Sequence, residues 1–431
     1  MPFSSLGLTG SLLLAVAEQG YHSPTEIQRQ AIPIILAGQD MRACAPTGSG
    51  KTAAFALPLL QRLSKNPTGS RVGIAALILA PTRELVLQIA AACQRYAHFS
   101  PHPVKIMGLV GGVSLNPQMM ALRGGADIVV ATPGRLLDLV EHNALKLDSV
   151  RTLVIDEADK LLELGFAVEL ARVLDQMPQD RQTLLFSATF PAVVERLADT
   201  IQRTPISLGM CSSPTMPAVI TQRAISVDPA RRTQLLRHLI QQHGWSRVLV
   251  FVATKYATGH VAEKLRRAGI AAAAFNGELS QGVRAQALSD FQAARLQVLV
   301  ATDLAGRGID IAQLPVVVNF DLPRAADDYV HRIGRTGRAG EAGEAVSFVT
   351  PAAEAHFTLI EKRQRMTLLR EQVPGFESTP AAIAPDVPVT IGGIKGKRKS
   401  KKDKRREAME VMSPAQAIWA ARAVKPEQQK S

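Results

Sequence analysis

Eight residues, Ala45-Pro46-Thr47-Gly48-Ser49-Gly50-Lys51-Thr52, combine the groups needed to hold a polyphosphate. Gly48 and Gly50 let backbone amides converge on an anion at a helix N-terminus, Lys51 can neutralise β and γ phosphates, and the Thr52 hydroxyl can ligate Mg²⁺. The first position is Ala where the usual pattern has Gly, so only its relaxed form is met. A glycine-rich turn that merely caps a helix is the alternative. Against it stand a strand pattern at Met41 to Cys44 before the loop and a helical pattern at Ala53 to Leu63 after it. Such a site needs an acid at the carboxyl end of another strand, and Arg151-Thr152-Leu153-Val154-Ile155-Asp156-Glu157 supplies two. Asp156 would hold Mg²⁺ and Glu157 would polarise the attacking water. Adjacent acids after a strand are by themselves commonly a solvated turn; beside the loop at 45–52 they become the carboxylates that Lys51 and the metal require.

A third group lies far along the chain. His331-Arg332-Ile333-Gly334-Arg335-Thr336-Gly337-Arg338 places Arg335 and Arg338 three apart, so both guanidinium groups can face one side of a turn or helix. If a cleft between domains closes, they become arginine fingers on a γ-phosphate. Surface arginines, or plain contacts to an RNA backbone, fit this segment equally well.

The elements that must carry these groups alternate. Short runs rich in Val, Ile and Leu at Ala76 to Leu79, Asp127 to Val130, Leu153 to Ile155 and Thr183 to Phe186 are each followed by a turn cluster and a helical pattern, which predicts parallel βαβ units. After a turn-rich segment at 209–217 the rhythm restarts at Arg247 to Val252, Leu296 to Val300, Val316 to Asn319 and Ala345 to Val349. Two α/β domains follow. Beyond about residue 372, Pro374, Pro380, Pro385 and Pro388 punctuate a linker whose composition favours extended chain over packing.

Composition sets the class. The 431 residues are 46% hydrophobic, enough for real cores, and carry 50 Lys+Arg against 37 Asp+Glu, a net +13. Residues 395–406 hold nine bases and one acid, so this block supplies +8 of that excess. It self-repels, contains no aromatic residue for base stacking, and points to phosphate attraction as an auxiliary anchor for a polyanionic partner, with a solvated, solubilising tail as the alternative. Cys44, Cys93 and Cys211 offer neither a disulfide framework nor a zinc spacing, which reads as a reducing compartment. No apolar run approaches the ~18 residues of a membrane span, and no export signal precedes the early apolar stretch; a cytoplasmic protein without a membrane partner is expected.

Further along the chain the motifs add up. Gly20-Tyr21-His22-Ser23-Pro24-Thr25-Glu26-Ile27-Gln28, the loop at 45–52, Pro81-Thr82-Arg83-Glu84-Leu85, Thr132-Pro133-Gly134-Arg135, Asp156-Glu157-Ala158-Asp159, Ser187-Ala188-Thr189, Ala301-Thr302-Asp303 with Arg307-Gly308-Ile309-Asp310, and His331 to Arg338 occur in that order. Together they resemble the ordered motif set of DEAD-box ATP-dependent RNA helicases. The N-terminal wording around Phe3, Leu6-Gly7-Leu8 and Ala15 to Tyr21 most resembles the bacterial RhlE-type branch.

The resemblance implies two tandem RecA-like domains with parallel sheets, at 1–208 and 218–371, joined by a linker at 209–217 and followed at 372–431 by a Pro-containing linker and a disordered basic tail. It implies ATP and Mg²⁺ as ligands and RNA-stimulated ATP hydrolysis coupled to duplex opening or remodelling of RNA–protein assemblies. By the same carry-over Gln28 reads the adenine edge, Tyr21 and Phe3 pack around the base, and Asp310 touches the ribose. Ser187 and Thr189 couple hydrolysis to domain closure, with Asp159 bonded towards them and towards His331. The RNA track comprises Pro81, Thr82, Arg83, Gly111, Gly112, Thr132, Pro133, Gly134, Arg135 and Thr302, groups suited to phosphates and 2′-hydroxyls rather than base edges. Pro46 stands where the family commonly has Gln, Asn276-Gly277-Glu278 replaces a frequent His-Gly-Asp, and Gln292 follows Phe291 where a base is usual. An ATP-gated RNA clamp and a DNA-dependent translocase are the rival readings. A monomeric core, acting in ribosome assembly or RNA decay, completes the expectation.

Overall fold

Strands made of Val, Ile and Leu without polar alternation are stable only when both faces are covered. In the computed structural model they lie between two apolar layers. The structure describes residues 2–46, 48–65, 73–209, 220–306, 314–337 and 342–378. Thr47, Asp310, Arg338, most of the 209–217 segment and the basic block at 395–406 lie outside the described residues.

The chain divides into two compact units, whose described parts fall within 1–212 and 213–391. The first carries β1 (Met41–Cys44), β2 (Ala76–Leu79), β3 (Ile106–Leu109), β4 (Ile128–Ala131), β5 (Thr152–Ile155), β6 (Gln182–Ser187) and β7 (Ile206–Leu208). They form a sheet of order β3-β4-β2-β5-β6-β1-β7, parallel throughout. The second carries β8 (Ile220–Ser226), β9 (Val248–Val252), β10 (Ala272–Phe275), β11 (Val298–Thr302), β12 (Val316–Asn319), β13 (Gly343–Val349) and β14 (Arg370–Glu371), in the order β10-β11-β9-β12-β13-β8-β14, again all parallel.

Because strand side chains alternate, each sheet feeds two cores. Ile78, Val130 and Val154 join one apolar cluster of the first unit, while Leu77, Leu79, Val129, Leu153 and Ile155 join the other. In the second unit Val248, Val250 and Val300 face one layer and Leu249, Phe251 and Leu299 the opposite one. Parallel strands put every strand-to-helix loop on the same edge of a sheet, which gathers motifs scattered through the sequence.

Two expectations need correction. Packing continues past residue 372: Val373 is buried and Phe376 packs on the second unit's core, with the Arg231 guanidinium 5.3 Å from its ring centroid. Cys93 is free and buried, but Cys44 is disulfide-bonded, against the reading that the cysteines form no such bridge. Among the described residues no helix is long and apolar enough to cross a membrane.

Candidate active site

The end of β1 runs into residues 45–52, where Gly48 and Gly50 take φ of +83° and +94°, a region closed to most side chains. The helix Lys51–Lys65 starts there. A Cβ on Gly50 would come within 2.4 Å of the Gln28 Nε2, so glycine is what lets the helix Glu26–Leu36 approach the loop. Gln28 closes a capping box with Thr25: its Oε1 accepts the Thr25 N–H at 2.9 Å, while its Nε2 donates to the Gly50 carbonyl at 3.1 Å. One amide hydrogen and one oxygen lone pair remain for a ligand. Of the two rings expected beside it, Phe3 is packed into the first unit's core, while Tyr21 is 39% exposed with its hydroxyl 3.2 Å from that of Tyr96.

Lys51 is buried, donating to the Ala45 carbonyl at 3.1 Å and standing 3.9 Å from Asp156 Oδ1. Asp156 follows β5 directly, and its Oδ1 also accepts the Glu157 N–H at 2.9 Å. Burial pushes the Asp156 carboxyl up to about 6; Glu157 and Asp159 add to the rise, and Lys51 opposes it. Glu157 itself is buried in a left-handed conformation, φ +51°, which costs on the order of 1 kcal/mol in a non-glycine residue. Strain of this kind beside a buried acid marks a site held for something other than stability.

Two residues on, Asp159 is the hub of a buried lattice. Its Oδ2 accepts from the Thr189 N–H at 3.2 Å and the Thr189 hydroxyl at 2.9 Å, and its own N–H donates to Ser187 Oγ at 3.2 Å. Ser187 in turn donates to the Thr189 carbonyl at 2.6 Å. Adjacent strands β5 and β6 thus bring Asp159, Ser187 and Thr189 together, the contact that the resemblance implies; His331 stands in the second unit, 3.8 Å from Asp328.

The loops after β2, β3 and β4, neighbours in the sheet, gather the rest of the first unit's predicted set. Thr82 caps the helix Arg83–Ala97 by accepting the Leu85 N–H at 3.3 Å. A Cβ on Gly112 would fall 2.0 Å from Arg83 Nη1, so this glycine makes room for the guanidinium. Pro133 opens the helix Pro133–Glu141, and Arg135, buried, donates to the Val113 carbonyl at 2.8 Å. Pro81, Gly111 and Thr132 sit in the same three loops, and Gly134 is the second residue of the helix Pro133–Glu141.

In the second unit Thr302 ends β11, and Arg335 follows the helix Ala326–Ile333 with only 7% of its surface exposed, which removes the reading of a plain surface arginine. Sequence reasoning passed over its neighbour Arg332. That side chain is buried and grips Asp303 with two bonds, 2.5 Å from Nε and 2.7 Å from Nη2, while Nη1 reaches Asn319 Oδ1 at 3.1 Å. It also lies 5.0 Å from the Phe251 ring centroid. Thr336 is equally structural, donating to the Leu314 carbonyl, and a Cβ on Gly337 would strike Ile220 at 2.5 Å. The signal for Arg332 was its place beside the motif's other bases, but its partner lies 29 residues away.

Comparison with known proteins places this arrangement. A family model described as DEAD/DEAH box helicase matches residues 25–197, and one described as helicase conserved C-terminal domain matches residues 231–340. The chain is 39% identical over 398 residues to the ATP-dependent RNA helicase DeaD of Mycobacterium tuberculosis, an alignment covering 91% of this chain and 69% of that one. The chain belongs to the DEAD/DEAH box helicase family. Against the Escherichia coli ATP-dependent RNA helicase DeaD the identity is 41% over 377 residues; this family member spans 59% of that relative's length. Among solved structures, S. cerevisiae Dbp5 bound to RNA and ADP BeF3 superposes with a TM-score of 0.75 at 30% identity, covering 86% of this chain and 95% of that one. Mss116p bound to ssRNA and AMP-PNP gives 0.76 at 27% identity, covering 86% and 78%. The two seven-stranded parallel sheets are accordingly the tandem RecA-like folds of a DEAD-box helicase.

Proposed function

We propose that the chain is an ATP-dependent RNA helicase, in which RNA stimulates ATP hydrolysis and hydrolysis is coupled to local, sequence-independent opening of a duplex or remodelling of an RNA–protein assembly. One observation carries this reading: Lys51 and Asp156 face each other in the same unit whose Asp159 holds Ser187 and Thr189, so a buried charged site is wired to the end of the next strand. The relatives' names, and the RNA-bound and nucleotide-bound states of Dbp5 and Mss116p, support it.

The residues fit a magnesium nucleotide. A buried carboxylate whose proton affinity is raised calls for a cation, and Thr52 and Asp156 offer the oxygen ligands that Mg²⁺ takes. When bound, the ion supplies charge neutralisation at the terminal phosphates. Ala45 and Pro46 shape the entry of the loop, and Thr47, Gly48, Ser49 and Gly50 cradle the phosphates through backbone amides, with Lys51 as the point charge. Gln28, with Tyr21 and Phe3, selects adenine, and Asp310 takes the ribose. Glu157 accepts the proton of the attacking water, and its strained, water-poor position keeps it poised for that one task. Arg335 and Arg338 complete the γ-phosphate site as fingers, so that hydrolysis waits on the second unit.

The RNA track at Pro81 to Arg83, Gly111 and Gly112, Thr132 to Arg135, and Thr302 contacts phosphates and 2′-hydroxyls, which makes binding indifferent to sequence. Asp159, Ser187, Thr189 and His331 transmit closure to the hydrolytic centre. The basic block at 395–406 adds salt-sensitive affinity. A monomer in the cytoplasm, acting on ribosomal precursors or in RNA decay, is the setting this reading favours.

Strand displacement with RNA and DNA duplexes tests it. ATP-driven separation of a short RNA duplex, absent with the DNA duplex, is the expected outcome. Displacement of DNA alone contradicts the reading, and ATP turnover without any displacement points instead to a clamp.

A further inference from the structure

The first sheet has a second charged edge. At the amino ends of β5, β6, β1 and β7, four adjacent strands, lies a cavity of about 600 Å³. Arg151 immediately precedes β5, Arg181 precedes β6, Asp40 precedes β1, and Arg203 sits three residues before β7; Arg62 enters from the helix Lys51–Lys65 and Asp180 from the turn before Arg181. Loop 45–52, Asp156 and Ser187 sit at the carboxyl ends of the same strands, roughly 13 Å away for a four-residue strand.

The cations outnumber the acids, and the acids are already in use. Asp40 accepts the Thr183 N–H and the Arg203 N–H, each at 2.7 Å, and Asp180 pairs with Arg203 at 3.3 Å. Among the described residues no carboxylate lies in ion-pair range of Arg62, Arg151 or Arg181. Arg62 donates to Gln182 Oε1 and Arg181 to the Pro178 carbonyl, while the buried Arg181 Nε has no hydrogen-bond partner. Burial and the neighbouring Arg151 charge lower the proton affinity of Arg62; burial, then the Arg203 charge, lower that of Arg181 against the pull of Asp40. Like charges gathered around a cavity and partly withdrawn from water are costly unless an anion joins them.

We propose that this cavity binds a phosphate dianion, at a site separate from the nucleotide loop. Guanidinium forks match phosphate oxygens, and a dianion offsets two of the three arginines that lack a carboxylate. The volume is nucleotide-sized, yet no aromatic ring lines it, so it holds a phosphate and its sugar without stacking a base. The phosphate is either free or the 5′-terminal group of an RNA strand, which carries about two charges at neutral pH.

The test is protection from phenylglyoxal, which modifies accessible arginines, followed by mass spectrometry on the full chain with Mg²⁺ and ADP saturating the nucleotide loop. Inorganic phosphate is expected to slow modification of Arg62 and Arg151 about fivefold near saturation, leaving the exposed Arg123 outside the cavity unaffected. If the source is an RNA end, a 5′-phosphorylated oligonucleotide protects at far lower concentration than its 5′-hydroxyl counterpart; if it is free phosphate, neither RNA protects better than the other. Arg151→Glu should abolish protection of Arg62 and Arg151→Lys should retain it, both at an exposed position that folding tolerates. Absence of protection by phosphate and by either RNA, or protection unchanged in Arg151→Glu, overturns the proposal.

Discussion

Both units end their sheets on a buried charge that pins a functional loop, and they do it with opposite signs. In the first, the carboxylate of Asp159 collects the Thr189 N–H and hydroxyl beside Glu157. In the second, the guanidinium of Arg332 collects Asp303 and Asn319 beside Arg335. The residues assigned to chemistry sit next to these hubs rather than in them. A hub fixes geometry because leaving any of its partners unpaired is expensive, whereas the residue beside it is the one assigned to the ligand.

That division of labour can be broken residue by residue. Glu157→Gln should lower ATP turnover by about 10²–10⁴-fold while nucleotide and RNA binding persist and unfolding is little changed; turnover near the parent rate removes Glu157 from the role of base. Arg332→Met should destabilise the chain by about 3 kcal/mol in denaturant titration, since it strands the Asp303 carboxylate. A midpoint unchanged by this substitution erases the hub in the second unit. Asp159→Asn keeps the shape but cannot accept the Thr189 donors as a carboxylate does, which should cost about 1–3 kcal/mol and lower turnover at saturating RNA. If it alters stability alone, Asp159 holds the loop without coupling it.

The smallest effect concerns Asp156, whose folded carboxyl titrates near 6. Below that pH a cation has to displace a proton. Affinity for Mg²⁺-nucleotide should therefore fall about tenfold per pH unit as the pH drops below 6 and level off above it, with proton release on binding seen by calorimetry in the acidic range. A flat affinity from pH 5 to 7.5 places the metal elsewhere.

What the sequence made legible followed from burial. The central strands β2, β4, β5 and β6, and β9, β11, β12 and β13, read as apolar runs because helices cover both their faces, with ends displaced by a residue or two. The strands that escaped are β3, β7, β10 and β14, the four sheet edges, together with β8 beside the two-residue β14. Edge strands are short or interrupted: β3 contains Gly108, β10 is Ala-Ala-Ala-Phe, and β7 has three residues. The loop at 45–52 and the acid pair were visible because their chemistry is local. Arg332 and the ring of arginines at the amino edge were not, because each acquires its meaning from partners tens of residues away that only the fold brings near.

The central claim is that a strand of RNA switches on hydrolysis at the Lys51–Asp156 site. Steady-state ATP turnover by the purified chain, measured with and without single-stranded RNA, tests it most directly. The account predicts a rise of at least about tenfold, equivalent to 1.4 kcal/mol off the barrier, with RNA and none with DNA of the same sequence. An equal rate in the presence and absence of RNA contradicts it.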